Sequence, residues 1–181
     1  MADKKVAQKE KKQNVKNEEL AGKYLTFKLD NEVYGIEILK VIEIIGLQDI
    51  TPVPRTPDYV KGVINLRGII HPVIDMKKKF GMGDTEHSVE TCIIIVVVED
   101  GDKKEQMGVM VDSVSEVIDI KADIIEEAPN LGMDINSDFI LGMAKTEDAV
   151  KILLNVEKVL SKSELEALTR ASDKAQVPES N

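Results

Sequence analysis

The sequence predicts a mainly β protein built from two small, related β units. Ile and Val supply 40 of the 181 residues, and β-branched side chains favour strands over helices. Aromatic residues make up only 3% of the chain, so packing depends on aliphatic side chains. The sequence also contains a repeat of about 75 residues. We therefore expect two short, curved barrels of about five strands each, since closure removes exposed strand edges.

The first unit begins with two predicted strands. Residues 24–29 alternate apolar and polar side chains, and residues 32–38 continue the pattern after a tight turn at 30–31. Three prolines between residues 52 and 57 then interrupt the strand pattern.

The second unit repeats this plan. Residues 91–98 form an apolar strand, residues 99–106 a polar hairpin loop, and residues 107–111 the returning strand. Near the end of the chain, residues 161–164 form a capping box that begins a short helix.

The two units align with each other in order along the chain. Residues 34–45 match residues 107–118 at an offset of 73, which places Gly35 opposite Gly108. The match resumes at an offset of 80, where 59–62 corresponds to 139–142 and 73–76 to 153–156. We interpret this as a duplication. Neither barrel has enough interior of its own, so we expect a shared apolar core with a groove along the joint.

The domain boundaries follow from composition. Residues 1–22 are expected to form a disordered Lys-rich tail, residues 23–170 the folded domain, and residues 171–181 a flexible tail. The changeover between the two subdomains is expected near 81–90. Whether the subdomains exchange their terminal strands is left open.

Charge and hydropathy exclude several classes of function. Beyond residue 23 the chain carries 17 basic and 29 acidic residues, a net charge of −12, which argues against a nucleic-acid partner. The longest apolar run, 92–98, is far shorter than the ~20 residues of a membrane helix. We therefore expect a cytoplasmic protein without direct membrane insertion. Cys92 is the single cysteine and is interpreted as a buried, inert thiol.

No motif for enzymatic chemistry is found in the sequence. Phosphate-binding loops, zinc-binding pairs and nucleophile elbows are missing, so we predict no catalytic residue, cofactor or metal site. Arg67, in an Asn-Leu-Arg-Gly turn, is a candidate for recognising a carboxylate on a partner, because its guanidinium can bond bidentately. The alternative is an internal salt bridge from Arg67 to Glu43 or Asp75.

Residues 56–75, TPDYVKGVINLRGIIHPVID, closely resemble the signature of the CheW family of bacterial chemotaxis coupling proteins. Residues 34–44 resemble the segment that precedes this signature, and the resemblance runs from about residue 24 to residue 168. The sequence departs from the family pattern at His71 and Met76, where aliphatic residues are usual.

The resemblance implies two SH3-like five-stranded barrels on a common hydrophobic core, with a short C-terminal helix. It also implies a non-enzymatic adaptor, monomeric when isolated, that works at membrane-associated receptor arrays. Its partners would be the regulatory domain of the histidine kinase CheA and the cytoplasmic hairpin of methyl-accepting chemoreceptors. The alternative function is a small β-barrel ligand carrier or enzyme that uses the groove between the barrels.

The partner-binding residues carried over from the family motif are Val41, Glu43, Gly62, Asn65 and Arg67. Val41 and Glu43 lie in one partner-binding segment. The other three belong to the signature itself. The resemblance does not assign a partner to each residue.

Overall fold

The computed structural model describes residues 2–128, 138–147 and 149–176. The strands within these ranges are β1 (Gly22–Leu29), β2 (Glu32–Glu37), β3 (Val41–Gly46), β4 (Val60–Leu66), β5 (Ile69–Asp75), β6 (Cys92–Asp100), β7 (Lys103–Val111), β8 (Ser113–Ile120), β9 (Ile125–Glu126), β10 (Ile140–Lys145) and β11 (Val150–Leu154). The helices are α1 (Ala2–Leu20), α2 (Met76–Lys79), α3 (Val156–Val159) and α4 (Lys162–Gln176).

The strands form two sheets, which confirms the predicted mainly β fold with a short C-terminal helix. One sheet has six strands in the order β8-β1-β2-β11-β10-β9, and the other has five in the order β3-β6-β7-β5-β4. The sixth strand of the larger sheet, β9, is only two residues long. Apart from it, the two strand orders are equivalent under the repeat found in the sequence.

Each sheet combines a hairpin from one half of the chain with strands from the other half, three in the smaller sheet and four, including the short β9, in the larger. The β1–β2 hairpin lies beside β8, β10 and β11, whereas the β6–β7 hairpin lies beside β3, β4 and β5. Parallel pairing of β5 with β7 and of β11 with β2 occurs at equivalent positions in the two sheets. The halves of the chain are therefore reciprocally exchanged between the sheets.

Short connections explain this exchange. The strand that pairs with the outer side of β1 must run parallel to β2, because both are antiparallel to β1. A parallel return within one sheet needs a dozen or more residues, but only Ile38–Lys40 separates β2 from β3. The chain therefore enters the other sheet. The same holds between β7 and β8, where Asp112 is the whole connection.

The expected changeover near 81–90 separates the two repeats in sequence but not the two sheets. The five-stranded sheet takes all its strands from residues 41–111, and the chain changes sheet at 38–40 and at 112. The chain changes sheet at these two positions because both links are too short for a parallel return within one sheet. The strand pattern of the sequence does not reveal this.

Matching hydrogen bonds recur in the two repeats. The Asp75 amide donates to the Tyr59 carbonyl at 2.8 Å, and the Asn155 amide donates to the Phe139 carbonyl at 2.8 Å, 80 residues further along. The Asp75 side chain then caps α2, and the Asn155 side chain caps α3. The two short helices therefore begin in the same way.

The main core is shared between the sheets. It is built from aliphatic and aromatic side chains of both sheets and of the C-terminal helix, among them Leu25, Phe27, Ile36, Ile94, Val96, Val109, Leu165 and Leu168. Smaller clusters lie within each sheet. The surplus of Ile and Val predicted this arrangement.

Ion pairs hold both connections between the sheets. Lys77 of α2, whose side chain is 8% exposed, lies 2.5 Å from Asp30 in the β1–β2 turn and 3.8 Å from Asp112. At the other connection, Lys40 lies 2.5 Å from Glu157 of α3. Because Lys77 is nearly buried while Asp30 is 48% exposed, the lysine ties the β1–β2 turn and Asp112 to α2 at the boundary of the two sheets.

The ends of the chain differ from the expected tails. Residues 2–20 form α1, since Ala, Gln, Glu and Lys favour helices, and its last turn is anchored where Asn17 Nδ2 donates to the Ile125 carbonyl at 2.9 Å. Helix α4 continues to Gln176, beyond the expected start of a tail at 171; residues 177–181 lie outside the described ranges.

No helix in the described residues is long and apolar enough to cross a membrane.

Candidate partner-binding site

The β4–β5 hairpin presents Arg67 at its tip. Leu66 pairs with Ile69, and the two residues between them, Arg67 and Gly68, have φ angles of 53° and 86°. Positive φ at both central residues is the geometry of a type I′ turn, in which glycine is favoured. The Asn65 side chain accepts a hydrogen bond from the Gly68 amide at 2.9 Å. Asn65 therefore shapes the turn that carries Arg67.

Arg67 forms a surface ion pair with Glu43. Arg67 Nη2 lies 2.5 Å from Glu43 Oε1, and Nη1 lies 3.5 Å from Oε2. The Arg67 side chain is 76% exposed and that of Glu43 is 27% exposed. Exposed ion pairs contribute about 0–1 kcal/mol to stability. A partner can therefore compete for this guanidinium at little cost to the fold.

Asp75, the other acid considered for Arg67, is engaged elsewhere. Its carboxylate is fully buried and accepts hydrogen bonds from the Thr85 hydroxyl at 2.7 Å and the Thr85 amide at 3.0 Å. Lys61 Nζ lies 3.7 Å from it. Asp75 therefore holds the loop after α2, while Glu43 is the internal partner of Arg67.

His71 lies beneath this surface on β5, opposite Ile64. Burial lowers the pKa of its imidazole below the usual value, although the backbone of Gln106 and the charge of Glu43 act in the opposite direction. The ring is consequently uncharged at neutral pH. The side chain is 7% exposed and belongs to the packed interior.

Strand β3, which carries Glu43, exposes a row of aliphatic side chains. It is an edge strand of the five-stranded sheet. Ile42 and Ile44 are 49% and 45% exposed, and Leu39, just before the strand, is 88% exposed. Exposed apolar residues that lie together on one edge are typical of an interaction surface. We name Leu39, Ile42 and Ile44 the β3 apolar edge.

Comparison with known proteins now identifies the family. The family model of the CheW-like domain matches residues 23–164, and chemotaxis protein CheW of Klebsiella aerogenes is 36% identical over 82% of this chain and 87% of its own length. The chain belongs to the CheW-like family. CheW of Helicobacter pylori is 34% identical over 81% of this chain and 85% of its own. The crystal structure of the scaffolding protein TtCheW from Thermoanaerobacter tengcongensis matches with a TM-score of 0.70 and 38% identity, covering 80% of this chain and 90% of that one.

Gly62 of this CheW-like chain is buried. It lies at a bulge in β4 with a φ of 141°, and a Cβ there would lie 2.1 Å from the Thr51 carbonyl oxygen. Only glycine allows the loop before β4 to approach so closely. The structure thus gives Gly62 a structural role, and the contact role carried over from the motif stays a prediction.

Val41, carried over from the family motif as a partner-binding residue, is the first residue of β3. Its side chain is half-buried and packs on the shared core, so it contributes to the position of β3 more than to its outer surface. The exposed residues of the CheW-like strand are its neighbours Ile42 and Ile44, which the sequence analysis missed. Strand alternation was the available signal, but it does not say which of two aliphatic sets faces solvent.

No group of three or more His, Cys, Asp or Glu side chains within the described residues is placed to hold a metal ion. Burial raises the pKa of the Cys92 thiol, which disfavours the reactive thiolate. The β3 apolar edge and the Glu43–Arg67 pair lie close together in this CheW-like chain and are its candidate partner-binding features.

Proposed function

We propose that this protein is a cytoplasmic, non-enzymatic adaptor that couples chemoreceptor tips to the histidine kinase CheA within receptor arrays, so that receptors control the kinase. Membership of the CheW-like family supports this proposal. The observation that carries it is the β3 apolar edge beside the exposed Glu43–Arg67 pair. Together they offer apolar contact area and a charged group that can change partners.

The β3 apolar edge is suited to protein binding on energetic grounds. Burying a fully exposed isoleucine side chain stabilises a complex by about 1.5–3 kcal/mol, so the half-exposed Ile42 and Ile44 would contribute about 1 kcal/mol each. The neighbouring ion pair adds orientation more than affinity, since charged groups mainly set specificity and association rate.

The two partners would use different parts of the fold. One barrel would pair with a barrel of the kinase regulatory domain, and the groove between the barrels would receive the receptor hairpin. A helical hairpin gains most of its binding free energy from apolar side chains placed in a groove. Changes in the β3 apolar edge that weaken the binding of one partner but not of the other identify the partner that contacts it.

A ligand carrier or enzyme that uses the joint between the sheets is less well supported. The joint is filled by fully buried side chains such as Ile94, Val96 and Val109, and these aliphatic groups provide none of the convergent polar groups that a small-molecule site needs.

Binding measurements with both partners test the proposal. Wild-type protein is expected to co-elute on gel filtration with the CheA regulatory domain and with a receptor cytoplasmic fragment. The double variant I42S/I44S should lose about 2 kcal/mol, or about 30-fold in affinity, for at least one of them. The control is V89S, because Val89 is fully exposed but lies outside β3. Failure of the wild-type protein to bind either partner would refute the proposal.

A further inference from the structure

A cleft lies between α4 and the proline-containing loop that follows β3. The cleft has a volume of about 540 Å³. One wall is formed by residues 53–57 and Tyr59, and the other by the face of α4 that carries Ala167 and Leu168. It shares no residue with the β3 apolar edge or with the Glu43–Arg67 pair.

The cleft is held in a fixed shape before any partner binds. Pro52, Pro54 and Pro57 restrict the backbone of the loop, and the Thr56 hydroxyl donates to the Val53 carbonyl at 2.8 Å within it. A preformed cleft loses less conformational entropy when it is occupied.

Contacts of Glu164 fix the other wall. Its carboxylate accepts hydrogen bonds from the Tyr59 hydroxyl and from Lys79 Nζ, the latter at 2.6 Å. Ser161 caps the start of α4 and also bonds Glu164. The one carboxylate that lines the cleft is thus already satisfied by groups of the protein.

Two arginines stand on opposite walls of the cleft. Arg55 is exposed, its φ of 61° lies in the left-handed region, and no ion pair joins it to an acid within the described ranges. Arg170 faces it from α4 and has only a 3.9 Å contact with Glu166, with its side chain 75% exposed. The two cations stand on either side of an apolar floor. This arrangement complements a peptide in which carboxylates flank an apolar side chain.

We infer that this cleft binds an acidic segment of a partner protein, with an aliphatic side chain on the floor formed by Pro54, Pro57 and Leu168. Carboxylates on either side of that side chain pair with Arg55 and Arg170. The protein as a whole carries a net charge of −9 and repels an acidic peptide. Binding of such a peptide is therefore confined to a cationic site such as this cleft. The inference does not depend on the adaptor role.

Peptide titration of the full chain, followed by amide chemical shifts, tests this inference. The probe is the blocked peptide Glu-Glu-Leu-Glu-Glu, compared with Glu-Glu-Ser-Glu-Glu and Lys-Lys-Leu-Lys-Lys. The leucine-containing acidic peptide should shift amides of residues 53–57 and 163–170. The serine peptide should bind at least fivefold more weakly. The variants R55E and R170E should each weaken binding at least fivefold, whereas K104E, a lysine of β7 outside the cleft, should have little effect.

Several outcomes would overturn the inference. Absence of shifts, shifts spread over the whole surface, or affinity unchanged by R55E and R170E would each exclude the cleft as an acidic-peptide site. Stronger binding of the lysine peptide at 53–57 and 163–170 would do the same. Line broadening at these positions with protein concentration alone would indicate that a second copy of the chain occupies the cleft. Thermal melting of each variant separates loss of binding from loss of fold.

Discussion

Replacing Gly108 with alanine is expected to destabilise the fold, whereas the same change at its repeat partner Gly35 should be tolerated. A Cβ at Gly108 would lie 2.8 Å from Ile93 Cγ2 and 3.1 Å from Val73 Cγ2. Both neighbours are fully buried and branched at Cβ, so they cannot move aside. A Cβ at Gly35 would meet the end of the Leu153 side chain at 3.2 Å, and a small rotation of that side chain relieves the contact.

The size of the effect follows from two opposing contributions. Overpacking a core costs about 1–3 kcal/mol, and replacing a strand glycine by alanine regains about 0.5–1 kcal/mol of backbone conformational free energy. Gly108→Ala should therefore lower the free energy of unfolding by about 1–2 kcal/mol, and Gly35→Ala should change it by less than ~0.5 kcal/mol. For a chain of this length, the first value corresponds to a melting temperature roughly 2–8 °C lower.

Urea unfolding of both variants, followed by circular dichroism, measures this difference directly. The dependence on urea concentration should stay unchanged, since both variants expose the same surface on unfolding. An equal loss of stability in the two variants would refute the steric reasoning. So would a Gly108→Ala protein as stable as the wild type.

Three further predictions concern the surface and the ends of the chain. Arg67→Ala should weaken the complex with the kinase or the receptor by about 1–3 kcal/mol in calorimetric titration. Its melting temperature should stay nearly unchanged, because the pair of Arg67 with Glu43 is exposed. Unchanged affinities for both partners would contradict the recognition role of Arg67. Although burial opposes ionisation of Glu164, hydrogen bonds from Lys79, Tyr59 and Ser161 hold its pKa below the usual value. The stability from these bonds is present above the unfolded pKa of about 4.3 and is lost as pH falls through the folded pKa. The variant Glu164→Gln should therefore lose less stability in acid than the wild type. Identical pH profiles of stability for the two proteins would count against this account. Deleting residues 2–12, all exposed, should change the free energy of unfolding by less than ~0.5 kcal/mol, whereas Asn17→Ala should lower it by about 1 kcal/mol. A larger loss from the deletion than from Asn17→Ala in denaturation curves would show that the first turns of α1 pack against the rest of the protein.

The strands could be predicted from the sequence because they depend on local patterns. Residues 24–29 alternate in the sequence and lie within Gly22–Leu29 of the structure, and residues 91–98 overlap Cys92–Asp100. The sheet to which each strand belongs could not be predicted in this way. It depends on the link at Ile38–Lys40, whose residues continue the apolar pattern and give no turn signal.

Helix α1 shows a second limit of local reasoning. Its composition permits a helix, but the contact that anchors it joins Asn17 to Ile125, 108 residues away. An isolated helix without an apolar face is marginal in water. The sequence therefore favoured a tail, and only the tertiary contact reverses that prediction.

The candidate site was partly predictable. The Asn-Leu-Arg-Gly motif indicates the turn that exposes Arg67, because glycine favours the positive φ that follows it. The pairing of Arg67 with Glu43 was one of two internal alternatives, since sequence does not show that Asp75 is buried against Thr85. Ile42 is exposed and Val41 is half-buried because of the face that β3 turns to the core. The alternation of the sequence does not show which face that is.

The reciprocal exchange of hairpins has a consequence for synthesis on the ribosome. All strands of the five-stranded sheet have been made once residue 111 is added, whereas the β1–β2 hairpin must await β11, which ends at Leu154. At elongation rates of about 5–20 residues per second, the 117 residues between positions 37 and 154 take on the order of ten seconds. During this interval the first strands of the nascent chain carry apolar side chains without their final neighbours, and a chaperone that binds early would contact them first.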